Sequence, residues 1–391
     1  MKKTPAVLAC IVAVSALTLV GCSAASPSSS SSASSTPFKI GLMIPISTAL
    51  SNPSIYEDPA NDAVKAINKD GGIDGRKIVL TPYDTTFTTA GAITAVQKAL
   101  SDGVNAMIGM PIADQVLAVR PLLDKAKVPL LFNGGGYAAA YTGGTTGASV
   151  WSFRVGPPSE LTAAGAARYA IKTLKEKNIG IVLRGDQSQQ TNTDAITKEV
   201  KADNGKIVAT RSVPVGATDV TTQILAMKDA DAVISTDYQP GIVQVVQGLA
   251  QQGIKATTLA GQTGYQVFLQ KLLTSTQYSN FYSVAPCNPS DARNATAVKW
   301  VTAFEKAHNF VPDANSSTTY DAFFLIKQAT EKAKSQTPAA ILKSYETLND
   351  PNGICSPYKT DSQHFMGSTE VVIGFGTGTG QTLATYDFSK K

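Results

Sequence analysis

Residues 38–84 constrain the fold more than any other stretch, because they contain one complete strand–helix–strand unit. Residues 39–45 form an apolar run of strand length, which predicts a strand buried on both faces of a parallel sheet. From Tyr56 onward apolar residues recur at helical spacing, and a second strand is predicted at residues 77–80. A right-handed crossover places the loop at residues 47–56 at the carboxyl edge of the sheet, where open α/β sheets bind ligands. Tyr56 is therefore a candidate ligand-binding residue, although an ordinary surface loop would have the same spacing.

The length and the charge of the chain limit its class. A chain of 391 residues is longer than one ordinary core requires and suits two lobes. The formal net charge is only +5, and no basic stretch alternates with aromatic residues, so nucleic acid is not predicted as a partner. A hydrophobic content of 43% is typical of a globular protein.

The N-terminal segment carries an export signal and a linker. Two lysines are followed by an apolar stretch at residues 6–20, and residues 19–22 (LVGC) resemble a bacterial lipobox. This resemblance implies a lipoprotein signal peptide at residues 1–21, acylation of Cys22 and anchoring to the outer face of the bacterial cell membrane. Residues 22–37 are rich in serine and have little to bury, which predicts a flexible tether. A glycosylated stalk would have the same composition.

Four short motifs in the folded part resemble one protein family. They are A-V-x-x-I-N at 63–68, GGIDGRKI at 71–78, YDT at 83–85 and TYDA at 319–322. From about residue 38 to the C-terminus the chain resembles type I periplasmic binding proteins, in particular the branched-chain amino acid group that serves ABC transporters. The resemblance implies an α/β fold with two Rossmann-like lobes, each with a central parallel sheet, joined by a three-segment hinge.

The predicted lobes are discontinuous in sequence. Residues 38–155 plus 287–354 are expected to form lobe 1, and residues 156–286 plus 355–391 are expected to form lobe 2. The alternation of strands and helices restarts after residue 158, which supports a first crossing near residues 151–158 (WSFRVGPP).

The resemblance also assigns ligand contacts in lobe 1. The turn after the third strand supplies hydroxyl groups for the ligand's carboxylate in the family, and the turn after the fourth strand supplies backbone amides and a threonine hydroxyl. The residues at or beside these places are Ala113, Asp114, Gln115, Gly135, Gly136 and Tyr137. Asp114 could instead be only a helix cap.

In lobe 2 three residues stand where the family contacts its ligand. Gln189 matches a tyrosine, Tyr238 matches an aromatic residue, and Gln262 matches the acidic residue that meets the ligand's ammonium group. Each could be an ordinary surface residue, but their positions after successive strands favour a site. Since the family's groups are absent at Ala113, Tyr137, Gln189 and Gln262, a neutral amide, a polyol or an aromatic-bearing solute is predicted at least as readily as leucine, isoleucine or valine.

The cysteines and histidines complete the sequence-based picture. Cys287 and Cys355 stand at proposed crossings that are neighbours in the family's hinge, so a disulfide is expected, with two unpaired thiols as the alternative. His308 and His364 have no metal-ligand partner at usable spacing and are predicted to be surface residues. No cofactor or metal is predicted.

These observations favour a lipid-anchored extracytoplasmic receptor that captures a small solute by hinge closure and delivers it to the membrane subunits of an ABC importer. Such a protein is not an enzyme. A ligand-sensing module for a signalling partner is one alternative. A nucleotide-dependent enzyme is another, since Gly134, Gly136 and Ala139 fit a variant of the dinucleotide fingerprint, although Gly143 and Gly144 interrupt the helix that should follow.

Overall fold

The computed structural model describes residues 36–48, 52–134, 150–214, 217–235, 241–262, 272–291, 295–355, 357–375 and 380–389. The predicted signal peptide, the acylated Cys22 and most of the tether lie outside the described residues. So do the candidate ligand contacts Gly135, Gly136, Tyr137 and Tyr238.

Five parallel strands form the first sheet. They are β1 (Phe38–Ile44), β2 (Ile78–Asp84), β3 (Ala106–Gly109), β4 (Leu130–Phe132) and β5 (Ser152–Arg154), in the spatial order β2-β1-β3-β4-β5. Helices α1 (Ser54–Lys69), α2 (Thr89–Ser101) and α3 (Ala113–Ala126) connect them. The predicted strand–helix–strand unit is confirmed, because β1 and β2 pair in parallel on either side of α1 in the chain.

Strand β1 is buried on both faces of the first sheet, as its apolar run predicts. Ile40, Leu42 and Ile44 face one cluster of buried side chains, which includes residues of α1. Met43 faces a second cluster on the other side, formed with α2 and α3. Successive side chains of a strand point to opposite faces, so a continuous apolar run fills both layers.

Seven strands form the second sheet. They are β6 (Asn178–Arg184), β7 (Lys206–Val213), β8 (Ala232–Ser235), β9 (Thr257–Ala260), β10 (Phe281–Ala285), β13 (Thr369–Gly374) and β14 (Gln381–Asp387), in the order β14-β13-β10-β9-β8-β6-β7. The pairs from β7 to β10 are parallel, whereas β13 and β14 form an antiparallel hairpin at the edge. Its helices are α4 (Ser159–Arg168), α5 (Gln189–Ala202), α6 (Thr221–Leu225), α7 (Gly241–Gln251) and α8 (Ser275–Ser279).

Three later helices return to the first lobe. They are α9 (Ala295–His308), α10 (Ala314–Lys332) and α11 (Pro338–Glu346), followed by the short strands β11 (Asn349–Asp350) and β12 (Tyr358–Lys359). Residues of α10 share a hydrophobic cluster with α1 and β1. The chain therefore passes between the lobes after β5, after β10 and before β13, and the predicted two-lobed α/β fold is confirmed.

The last crossing lies later in the chain than the lobe boundaries imply. Tyr358 and Met366 are buried in the core of the first lobe. Arg154 of β5 exchanges backbone hydrogen bonds with His364 and Met366, so this segment extends the first sheet. The predicted lobe boundaries stay predictions, and this packing favours placing the third one near residue 367 rather than between residues 354 and 355.

A buried aspartate and a disulfide fix the segment that precedes the third crossing. The Asp321 carboxylate on α10 accepts hydrogen bonds from the N–H groups of Ile354 and Cys355, both at 2.8 Å, and from the Tyr358 hydroxyl at 2.7 Å. Cys355 is joined to Cys287, with their Cα atoms 5.2 Å apart, as expected from the sequence. Burial raises the pKa of Asp321 to about 6, while the three donors oppose that shift.

A second buried carboxyl group lies near the first crossing. The Glu370 side chain on β13 is fully buried and accepts a hydrogen bond from the Thr162 hydroxyl on α4 at 2.7 Å. Burial raises the pKa of Glu370 to about 8, and the buried Arg154 guanidinium only partly opposes this shift. Glu370 is therefore protonated in the folded protein at neutral pH.

Replacing both Cys287 and Cys355 with alanine is expected to lower the free energy of unfolding by about 4 kcal/mol, because the bridge closes a long loop in the unfolded chain. The two cysteines are 68 residues apart in the chain. Denaturant unfolding with and without a reductant measures this effect. The reductant should shift the wild-type midpoint and leave that of the double variant unchanged, and equal midpoints for both oxidised proteins would contradict the expectation.

Glu370→Gln is expected to change how stability depends on pH. Between the ordinary pKa of 4.5 and the folded value of about 8, the unfolded chain is ionised while the folded protein keeps its proton. Glu370 therefore lowers stability progressively as the pH rises through this window, by up to about 1.4 kcal/mol per pH unit. The stability of the variant relative to the wild type should rise across the same window in urea unfolding curves.

The exposed Glu305 on α9 provides the matched control for that experiment. Glu305→Gln makes the same chemical change away from the core. A difference between Glu370→Gln and the wild type that stays constant with pH, or that is matched by Glu305→Gln, would contradict the expectation.

Candidate functional site

The turn after β3 presents the start of α3 at the carboxyl edge of the first sheet. Gly109 has φ 117° and Met110 has φ 57°, and the fully buried Met110 donates its N–H to the carbonyl of Met43 at 2.8 Å. A non-glycine residue in the left-handed region is strained, and such strain is concentrated at functional sites. The backbone of this turn is thus held by the core of the sheet below it.

The three predicted ligand contacts on α3 have different surroundings. Ala113 is buried and packs in the core between α2 and α3. Asp114 does not cap the helix, since Ile112 occupies the cap position and no side chain bonds to this helix end. The Gln115 amide donates to the carbonyl of Thr88 at 3.2 Å and so ties this turn to the one after β2.

A charged pair occupies the turn after β6 in the second lobe. Arg184 donates to the Asp186 carboxylate, with a distance of 2.8 Å from its Nε, and both side chains are buried. The other carboxylate oxygen of Asp186 accepts the N–H of Ser188 at 2.9 Å and its hydroxyl at 2.5 Å. Gln189 follows as the first residue of α5 and is half-buried.

Asp114 faces this charged pair from the opposite lobe. Burial raises the pKa of the Asp114 carboxyl, the nearby Asp186 raises it further, and Arg184 opposes the shift. The turn after β3 and the turn after β6 therefore lie close enough for their charges to interact. The structure thus brings together two loops that the sequence predicts to line the site.

Gln262 links the lobes directly. It follows β9 in the second lobe, and its side-chain amide donates to the Asn133 carbonyl at 3.1 Å and to Oδ1 of Asn315 at 2.8 Å. Asn133 follows β4, and Asn315 lies at the start of α10, so both acceptors belong to the first lobe. The role of Gln262 as a ligand contact stays a prediction, and its amide donors here contact protein groups.

Several buried polar atoms at the two carboxyl edges have no hydrogen-bond partner among the described residues. They are Thr85 Oγ1, Asp114 Oδ1, Gln115 Oε1, Asn133 Oδ1 and Ser235 Oγ. Each lies in or directly after a strand end, or at the start of the helix that follows one. Because buried polar groups are normally hydrogen-bonded, these five atoms offer hydrogen-bonding positions to an occupant of the gap between the lobes.

Two side chains of this region were not predicted from the sequence. Asn315 contributes through α10, which is distant in the chain from every strand end of the first sheet. Asn133 is the first residue after β4, and its place at a strand end is the signal that could have identified it. Conversely, Tyr56 lies inside α1 and packs in the core of the first lobe, so its role as a ligand contact stays a prediction.

The histidines are not the surface residues that the sequence suggested. The His308 ring lies between the carboxylates of Asp58, at 3.4 Å, and Asp62, at 2.9 Å, and ties α9 to α1. The His364 ring stacks on Phe153, and burial lowers its pKa. Among the described residues no group of three or more His, Cys, Asp or Glu side chains is arranged for a metal ion.

A separate cavity lies at the hinge. Its volume is about 580 Å³, and its lining includes Pro157, Pro286 and Tyr358, one from each crossing region. None of the predicted ligand contacts lines it. The helices in the described ranges include none with the length and apolar character of a membrane span.

Comparison with known proteins agrees with this architecture. Residues 37–374 match the family model described as periplasmic binding protein. The chain is 25% identical over 317 residues to the Leu/Ile/Val-binding protein homolog 1 of Brucella abortus (strain 2308), covering 78% of this chain and 81% of that protein.

Solved structures of low sequence identity share the fold. One is the substrate-binding protein LivJ of the branched-chain amino acid transporter of Streptococcus pneumoniae, in complex with isoleucine. Its TM-score is 0.79 and its sequence identity is 21%, and the match covers 90% of this chain and 99% of that chain. Another is an ABC transporter solute-binding protein of Rhodopseudomonas palustris BisB5 in complex with 3,4-dihydroxybenzoic acid, with a TM-score of 0.79 and 16% identity over 90% and 98% of the two chains. The chain therefore belongs to the periplasmic binding protein family and is built like the substrate-binding proteins of branched-chain amino acid ABC transporters.

Proposed function

We propose that this protein is the extracytoplasmic receptor of an ABC importer and that it captures one small solute between its two lobes. The observation that carries the proposal is the set of buried, unpartnered polar atoms at the facing carboxyl edges of the two sheets. A solute that contacts both edges would satisfy these atoms and favour the closed arrangement of the lobes.

The solute belongs to the classes bound by similar proteins. The relatives with this fold were solved with isoleucine and with 3,4-dihydroxybenzoic acid. An amino acid, a related amide or an aromatic compound is therefore proposed for this chain. The candidate contacts are Tyr56, Ala113, Asp114, Gln115, Gly135, Gly136, Tyr137, Gln189, Tyr238 and Gln262.

The proposed attachment is through an acylated Cys22 and a flexible tether. The start of the folded part supports this arrangement, because the Arg76 guanidinium binds the carbonyl of Thr36 at 3.1 Å and that of Pro37 at 2.9 Å. It also lies over the ring of Phe38, at 5.0 Å from its centroid. The chain is thus fixed at residues 36–38, and the preceding residues of the tether would set the distance from the membrane.

A solute screen tests the receptor function. The purified protein is mixed with leucine, isoleucine, valine, leucinamide, benzoate, 3,4-dihydroxybenzoate and their amides, and thermal unfolding is followed. At a concentration of about 100 times the dissociation constant, a true ligand is expected to stabilise the protein by about 2.7 kcal/mol. Calorimetry should give one ligand per protein, and mass spectrometry should recover the solute unchanged. A chemically altered solute, or a panel without any stabilising member, would contradict the proposal.

Gln262→Ala is expected to favour an open arrangement of the lobes in the absence of solute. The change removes both hydrogen bonds between the lobes, each contributing about 1 kcal/mol, so the closed-to-open ratio should fall by roughly 30-fold. Small-angle X-ray scattering should report a larger radius of gyration for the solute-free variant.

Gln244 on α7 is the matched control, because its amide donates to the carbonyls of Ala217 and Thr218 within the second lobe. Gln244→Ala should leave the radius of gyration unchanged. The expectation fails if Gln262→Ala scatters like the wild type, or if both variants expand equally.

A further inference from the structure

The first-lobe side of the proposed site is rich in hydrogen-bond acceptors that lack donors. Gln115 is 1% exposed and Asn133 is 2% exposed, and the side-chain oxygen of each has no partner among the described residues. The same holds for the buried Oδ1 of Asp114. All three atoms are oxygens, so the occupant that completes them must bring N–H or O–H groups.

The two amide side chains cannot reverse this preference by rotating. The Gln115 amide nitrogen faces the carbonyl of Thr88, and the Asn133 amide nitrogen faces the carbonyl of Asn315 at 3.4 Å and the Thr319 hydroxyl at 2.6 Å. A carbonyl can only accept a hydrogen bond, so a flipped amide would place two acceptors against each other. The unpartnered atoms are therefore the oxygens.

The turns that carry these acceptors are adjacent. Gly134 packs against the backbone of Pro111 so closely that an added Cβ atom would overlap it. This contact holds the turn after β4, with Asn133, beside the turn after β3, which leads into Asp114 and Gln115. The acceptors thus belong to one neighbourhood of the first lobe.

The described charges of the opposite lobe that affect Asp114 are already paired with each other. Arg184, whose charge lowers the pKa of Asp114, is already hydrogen-bonded to Asp186, and the remaining oxygen of Asp186 is taken by Ser188. Within the described ranges, the buried Oδ1 of Asp114 has no hydrogen-bond partner. A ligand carboxylate at this place would add a second anion, whereas a cationic nitrogen group would supply both charge and donors.

We infer that the solute presents a cationic, multiply protonated nitrogen group, such as an amidinium, a guanidinium or an ammonium, to Asp114, so that Asp114 selects against a carboxylate at this end of the site. This inference rests on the proposed receptor function and specifies its ligand. The ligand group at this turn thereby carries the opposite charge to the one that the family resemblance implies. In the family, hydroxyl residues at these positions hold a carboxylate.

Benzamidine and benzoate test the inference directly, because they are planar, similar in size and opposite in charge. Leucinamide and leucine form a second pair, in which only leucine carries a carboxylate. Calorimetry on the full chain is expected to show benzamidine binding at least about tenfold more tightly than benzoate, equivalent to about 1.4 kcal/mol, and leucinamide more tightly than leucine. In Asp114→Asn this preference should fall at least about tenfold.

Asp229→Asn is the matched control, since it removes the same net charge from an exposed residue that is paired only with Lys228. It should keep the wild-type preference. Asp114→Ser adds a second readout, because the hydroxyl is expected to raise the affinity for benzoate. Thermal unfolding of each variant verifies that it is folded.

The possible outcomes separate this inference from the proposed function. If benzoate or leucine binds more tightly than its cationic partner, the receptor function stands and the inference is wrong. It is also wrong if Asp114→Asn leaves the preference unchanged, or if neither benzamidine nor leucinamide binds up to about 1 mM. The proposed function is rejected only by the failure of the wider solute screen.

Discussion

The buried carboxylate of Asp321 is the interaction that holds the segment before the third crossing on the core of the first lobe. It lies on α10, in the core of the first lobe, and binds both N–H groups of residues 354 and 355 together with the hydroxyl of Tyr358. An isolated buried charge would be strongly unfavourable, and three donors make it tolerable. The disulfide from Cys355 to Cys287 then connects this fixed point to the crossing after β10. One small cluster therefore links the crossing after β10 to the segment that precedes the third crossing.

The two lobes meet at the carboxyl edges of their sheets. Parallel strands end at one edge of a sheet, so each lobe presents a row of turns, and Gln262 bonds one row to the other. The backbone of these turns is supported from below, as the buried Met110 in the left-handed region illustrates. The unpartnered atoms of Asp114 and Gln115 therefore follow a turn whose backbone is held by the buried core, and such support favours a selective binding site.

The sequence allowed the fold to be predicted because its signals are local. The continuous apolar run of β1, the glycines after α1 and the motif at residues 71–78 lie within one unit, and the structure confirms that unit. The contacts that define the candidate site connect distant parts of the chain. Gln262 meets Asn133 and Asn315, and no single-sequence pattern joins these positions. The sequence shows that Gln262 stands where the family has an acidic residue. It does not show that the Gln262 amide hydrogen-bonds to the first lobe.

The amide at position 262 and the carboxylate at position 114 are physically related. An amide nitrogen can donate to the Asn133 carbonyl, whereas a carboxylate at position 262 would face that carbonyl as a second acceptor and would repel it. The second lobe therefore uses position 262 to hold the first lobe, and the buried negative charge lies instead across the gap, at Asp114. The resemblance implies a hydroxyl at position 113 for the ligand's carboxylate and an acidic residue at position 262 for its ammonium group. This chain has Ala113 and Gln262 there, so neither of the two implied contacts is present. The resemblance implies an acidic ligand contact in the second lobe, whereas the inferred contact, Asp114, lies in the first.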